Sequence, residues 1–280
     1  MILAAITDPL AFPFFVRALV ASSIVGLVCA VVGSFMVLRG LAFMGDALSH
    51  SAFPGVVVAY LLKGPFYLGA AVAAVGTAFA IGWVTRHGRL RGDTAIGVLF
   101  AGMFALGVFL FSRIPNYVGD LFGFLFGEVL GISQGDLIAL TVLAAFVLVL
   151  VALLWKELLY STFDPLGAAA SGIAVGLLDY LLLALIALTI VVSLQAVGII
   201  LVVAMLVTPA AIGQLVASSF GRLVTVAIVV GTVSPVVGLY LSYWLDSAAG
   251  ATIVLVETAI FAVVLALGRR RSNGPAPESA

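Results

Sequence analysis

The sequence predicts an all-α, polytopic membrane protein with about eight or nine transmembrane helices. Hydrophobic residues fill 64% of the 280 positions and charged residues only 9%, whereas a soluble domain carries roughly 25% charged residues. The apolar excess runs the whole length of the chain. Short clusters of glycine, proline and charge cut it into stretches of about 20 residues, the length of one crossing. Together these features exclude a soluble enzyme, a secreted disulfide scaffold and a disordered chain. The formal net charge is zero, so no basic surface points to nucleic acid, and the lipid bilayer is the partner that composition implies. The single cysteine, Cys29, lies inside an apolar run. It forms no intrachain disulfide and reads as a small buried hydrophobe.

The elements follow in order. Met1 to Phe15 holds no lysine or arginine ahead of its apolar stretch, so no cleavable signal peptide is expected. The spans read as 14–38, 44–62, 66–85, 94–111, 136–155, 174–193, 196–217, 223–245 and 251–268. Pro54 and Pro209 interrupt two of them. Proline removes an intrahelical donor, so each site predicts a kink or a break. At membrane depth such a break needs protein or a water-filled cavity around it. The stretch from Ser112 to Gly135 is too long for a tight turn. Within it, Leu121–Leu130 reads as a short helix on the membrane surface or a re-entrant one. Gly26, Gly33, Gly69 and Gly76 within the spans allow close helix–helix approach. Residues 1–268 form one transmembrane domain, and 269–280 a basic and then disordered tail.

Placing Arg269–Arg270–Arg271 in the cytoplasm and alternating back through nine spans puts nine of the twelve basic residues on that side. They are Arg39, Arg86, Arg89, Arg91, Lys156, Arg222 and the tail arginines, while Arg17, Lys63 and Arg113 fall outside. The positive-inside rule thus favours an outer N-terminus and a cytoplasmic C-terminus.

Ionisable groups inside a membrane are costly, so chemistry is sought there first. Asp46 and His50, four residues apart, share one helix face. A carboxylate oxygen and an imidazole nitrogen suit zinc, manganese or ferrous iron. Counting ~1.5 Å per residue from Arg39 places the pair roughly 10–16 Å inward, near the bilayer middle. The adjacent Pro54-Gly55 resembles the broken helices of transporter sites. The bland alternative is a polar lock between two helices. Glu257 reads as paired with a neighbouring helix ahead of lining a cavity, Asp179 as an interfacial anchor near the cytoplasmic end of its span, and His87, Asp120 and Glu128 as solvated. Neither Lys63 nor Lys156 is followed by Ser or Thr, so the chain has no phosphate-cradling P-loop. It also lacks the paired carboxylates or Ser/His/Asp set of a hydrolase. No catalytic residue and no resident cofactor are expected.

The run Val37-Leu38-Arg39-Gly40-Leu41-Ala42-Phe43-Met44-Gly45-Asp46-Ala47-Leu48-Ser49-His50-Ser51-Ala52-Phe53-Pro54-Gly55 closely resembles the signature of ABC-type zinc/manganese/iron permeases. Further matches follow in the same order. They are Asp93-Thr94-Ala95-Ile96-Gly97, Leu125-Phe126-Gly127, Thr162-Phe163-Asp164-Pro165 before Gly172-Ile173, and Ala196-Val197-Gly198-Ile199-Ile200-Leu201 running into Pro209-Ala210-Ala211. The resemblance covers about residues 14–268. Two departures stand out: Glu128 replaces a small residue after Leu-Phe-Gly, and Glu257 stands where a small or apolar one is expected.

The resemblance implies a type II ABC importer-like fold in a bacterial plasma membrane. It implies a homodimer, a pair of cytoplasmic ATPase subunits that bind the ATP, and an extracytoplasmic metal-binding protein. Asp46 and His50 match the metal-contacting Asp and His of the path. Ser161 to Ile173 matches the segment that docks on the ATPase, with Phe163, Asp164, Pro165 and Gly172 as its marks and Asp164 as a helix N-cap. Metal entering between protomers would be held transiently by both pairs, weakly enough for release. Only the neutral imidazole of His50 binds metal, which makes uptake proton-sensitive. Three rival readings rank below this one. A permease for siderophore, haem or cobalamin needs a wider path and no intramembrane Asp/His pair. A stand-alone ion-driven carrier gives no reason for a docking segment. A scaffold leaves the buried pair unexplained.

Overall fold

The computed structural model describes residues 8–88, 92–114 and 129–272. In chain order α1 is Pro13–Leu38, α2 Ala42–Leu61, α3 Phe66–His87, α4 Gly92–Phe111 and α5 Gln134–Leu153. Then come α6 Trp155–Phe163, α7 Pro165–Ala170, α8 Val175–Val216, α9 Phe220–Leu245 and α10 Ala249–Ser272, with a 3-10 turn at Val129–Gly131. Among the described residues all regular structure is helical, as expected. Glu128, Asp120, Leu125-Phe126-Gly127 and most of the Leu121–Leu130 stretch lie outside the described residues, as do 273–280 of the tail.

Among the described residues, eight helical stretches are long and apolar enough to cross a membrane. The 20-residue α2 is as long as several of them and is not counted with them. Its Asp46, Ser49, His50 and Ser51 hold its mean hydropathy down, yet at ~1.5 Å per residue it is ~30 Å long, the thickness of the hydrocarbon core. Ser49 and Ser51 donate their hydroxyls to the carbonyls of Gly45 and Ala47 at 2.8 and 2.7 Å, so neither needs water.

The break anticipated at the prolines falls elsewhere. Pro54 and Pro209 both sit inside helices, and the backbone leaves helical geometry at Gly198, with φ 78° and ψ 168°. Glycine has no Cβ to clash at positive φ, while neighbouring helices supply the packing that tolerates a buried proline. This kink at Gly198 falls near the start of the second of the two apolar stretches that make up α8, Val175–Leu194 and Ala196–Val216. The stretch read as one span over 136–155 also ends early, and the chain turns at Leu154 into α6.

The second half of α8 is the centre of the bundle, with 67% of its most apolar 18 residues buried against 11% for the same length of Ala249–Leu267. Around it, α1 packs on α8 and α9, while α2 packs on α3, α4 and α8. Backbones touch where glycine allows it: a Cβ added to Gly55 of α2 would lie 2.0 Å from the carbonyl oxygen of Gly69 on α3. Gly76 differs from the expectation, since nothing lies within 4 Å of its Cβ position. Cys29 is fully buried, as expected, with its Sγ 3.8 Å from Ser193 Oγ.

Candidate metal centre and coupling segment

The α1–α2 turn brings Asp46 and His50 into place. Gly40 takes a φ of 69°, and the N–H groups of Gly40 and Leu41 donate to the carbonyls of Val37 and Met36, both at 3.0 Å. This is a Schellman closure. It lets α2 restart at once, with Asp46 in its second turn.

His50 Nε2 lies 3.5 Å from Asp46 Oδ1. A hydrogen bond between nitrogen and oxygen prefers 2.7–3.2 Å, so the pair is poorly bonded to itself. Two ligand atoms ~2.1 Å from one tetrahedral ion would stand ~3.4 Å apart. The pair therefore has the spacing of two ligands sharing one cation. Their contact lies within one helix, and among the described residues neither makes a hydrogen bond to a second helix. Phe100 and Phe104 of α4 flank the imidazole, with ring centroids 5.3 and 5.4 Å away, and hold its plane. His50 Nδ1 is buried without a partner, and the Asp46 side chain is half-exposed. Pro54 has no N–H to give the carbonyl four residues back, that of His50. Among the described residues no group of three His, Cys, Asp or Glu side chains is placed to hold a metal. The Asp46–His50 pair thus offers two ligand-type side chains, fewer than the four of a closed zinc site.

At the end of the bundle where α1 meets α2, the segment from Ser161 to Ile173 forms a helix–turn–helix. Asp164 accepts a hydrogen bond from the Gly167 N–H at 2.8 Å and so caps α7, as anticipated, while Pro165 opens it. Gly172, at φ 85°, closes it with a second Schellman pair: its own N–H to Ala169 O at 3.0 Å, and Ile173 N–H to Ala168 O at 3.1 Å. Phe163 and Leu166 project at the tip, 63% and 84% exposed. Two large apolar side chains are thereby presented on a polar-capped turn.

Asp179 departs from the anchoring role read from the sequence. Its two oxygens each receive an arginine, Arg39 Nη1 on Oδ1 and Arg86 Nη2 on Oδ2, both at 2.5 Å. Arg86 also lies 5.1 Å over the ring of Tyr180. Arg39 further donates to Thr162 and Ser161 of α6. The sequence carries a signal for this network: the positive-inside rule puts Arg39 and Arg86 on one membrane side, and Asp179 lies near the same end of its span. Glu257 meets the expectation of a partner on a neighbouring helix: it is fully buried and accepts from Ser234 of α9 at 3.1 Å. His87 is exposed and stacks on Trp83, with centroids 5.5 Å apart.

The fold and site define a multi-pass helical membrane protein with a carboxylate and an imidazole one helical turn apart on α2. The ABC 3 transport family profile matches residues 11–268. The chain is 44% identical over 254 residues to the manganese transport system membrane protein MntC of Halalkalibacterium halodurans, covering 91% of this chain and 87% of that one. It is 42% identical over 265 residues to the chelated iron transport system membrane protein YfeD of Yersinia pestis, covering 95% and 89%. It also superposes on the solved structure of PsaBC from Streptococcus pneumoniae in complex with Fab, with a TM-score of 0.84 and 36% identity over 95% of each chain. The chain belongs to the ABC 3 transport family. It is a permease subunit, expected from the resemblance and borne out by these relatives.

Proposed function

We propose that this chain is the membrane subunit of an ATP-driven importer, carrying a divalent transition metal into the cytoplasm by alternating access. The observation that carries this reading is the Asp46–His50 pair, spaced at 3.5 Å on a 20-residue helix of the bundle. Relatives named for manganese and for chelated iron support a metal cargo, and a carboxylate with an imidazole serves manganese, ferrous iron or zinc. The permease works as a homodimer, in which a second Asp46–His50 pair completes the ligand set that one chain leaves at two.

The chain lacks a P-loop, so ATP is hydrolysed on a cytoplasmic ATPase dimer docked at Phe163, Asp164, Pro165 and Gly172. Their helix–turn–helix and exposed apolar tip suit that docking. A metal-binding protein delivers the ion to the opposite face. Arg39, Arg86 and the docking segment share one end of the bundle through direct hydrogen bonds. That grouping supports a cytoplasmic placement of this end and of the C-terminus under the positive-inside rule. The test is uptake by proteoliposomes holding this chain with its ATPase and binding protein. Manganese accumulation that requires internal ATP is expected. Accumulation without the ATPase would replace this reading with that of an ion-driven carrier.

A further inference from the structure

We infer that Arg39 is a positioning residue for transport, the group through which displacement of the docking segment passes to the helix bearing Asp46 and His50. This rests on the importer reading above. Three features of the geometry carry it.

First, Arg39 is the last residue before the turn into α2. Only Arg39, Gly40 and Leu41 separate the two helices, and the Schellman closure fixes them, with Met44 N–H adding a bond to Leu41 O at 2.8 Å. A turn held by three backbone hydrogen bonds moves as a unit with the first turns of α2, where Asp46 and His50 stand.

Second, the guanidinium joins two bodies. Nε donates to Thr162 Oγ1 at 3.0 Å and Nη2 to Ser161 Oγ at 2.8 Å on the docking segment. Nη1 donates to Asp179 Oδ1 on α8 at 2.5 Å. Both hydroxyls spend their own protons on the Leu158 carbonyl, at 3.1 and 2.6 Å. Their lone pairs are thereby turned toward Arg39, and neither hydroxyl can be replaced by a methyl group without losing an acceptor.

Third, the side chain is only 13% exposed, so water does not substitute for a lost partner. A planar fork of donors serves three acceptors on two elements at once, which a lysine ammonium on its flexible stem does not reproduce. Asp179 in turn is held by Arg86 of α3, and α3 is the helix in backbone contact with α2 at Gly55 and Gly69. Among the described residues, the hydrogen bonds from the docking segment to the α1–α2 turn thus run through one side chain, beside the ring contact of Phe163 with Phe220 of α9, and the bundle holds that side chain from the other side.

The test counts ATP hydrolysed per manganese imported, in proteoliposomes of the full assembly. Arg39→Lys keeps the charge beside Asp179 and loses the fork. The double variant Ser161→Ala with Thr162→Val removes the acceptors on the docking segment and leaves the Arg39–Asp179 pair. Each is expected to raise ATP per manganese by about tenfold, a usual size for coupling between sites, with the assembly intact on size exclusion and ATP hydrolysis retained. A merely structural role would lower hydrolysis and uptake together. That parallel loss, or an unchanged ratio in both variants, overturns the inference. Where Arg39→Lys fails to assemble, the double variant decides in the same way. Unmutated assemblies that show no ATP-driven uptake overturn the importer reading, and this one with it.

Discussion

Gly26 of α1 and Gly231 of α9 face each other so closely that a Cβ on Gly26 would lie 1.7 Å from the Gly231 carbonyl oxygen. No side-chain rotation relieves such a clash, because the obstacle is backbone. Helix association inside a bilayer depends on this kind of approach, as lipid is as apolar as the helices themselves.

Gly26→Ala is therefore expected to destabilise the protein by about 1–3 kcal/mol, the usual cost of overpacking. Gly76→Ala, which meets open space, should leave stability unchanged or slightly higher, since alanine favours a helix by about 1 kcal/mol over glycine. Thermal unfolding of both variants in detergent reads the difference. Equal midpoints would contradict the packing argument.

Asp179 is the common partner of two arginines. Asp179→Ala leaves the largely buried Arg39 without its ionic partner and sets two like charges side by side. The pair is only partly buried, with Asp179 34% exposed, so a loss of about 1–2 kcal/mol is expected, between that of a surface pair and that of a buried one. Asp179→Asn, which keeps one carbonyl oxygen, should fall between the two. A midpoint unchanged in Asp179→Ala would make the network a surface feature.

Phe163 and Leu166 offer exposed apolar area at the tip of the Ser161–Ile173 segment, which is proposed to dock the ATPase. Changing either to Asp should leave folding within about 0.5 kcal/mol, as surface substitutions do. The ATPase should bind about 30-fold more weakly, as when an interface anchor worth about 2 kcal/mol is lost. Co-purification of the ATPase with each variant checks this, and undiminished recovery would place the docking surface elsewhere.

The Asp46–His50 pair was legible in the sequence because four residues on a helix make neighbours, and that relation needs no tertiary knowledge. The cap at Asp164 was legible for the same reason, being a contact three residues long. Arg39 and Asp179 stand 140 positions apart, and no local period joins them. Only their shared membrane side hinted at the pairing. The break in α8 was misplaced because proline is the louder signal: Pro209 lacks a donor, yet packing carries the helix through it. Gly198, quoted only as part of a motif, supplies the backbone freedom. The two serines of α2 were equally silent, since their bonds return to their own helix and change nothing outside it.

The central claim is that Asp46 and His50 hold the metal in transit. The most direct measurement is ATP-dependent uptake of manganese, iron and zinc, supplied in competition, by proteoliposomes of the full assembly carrying Asp46→Ala or His50→Ala. Each variant should still assemble with the ATPase, since neither residue pairs with another helix through a hydrogen bond. Uptake should fall to the level seen without ATP. Undiminished uptake in both variants would contradict the claim and move the metal path away from α2.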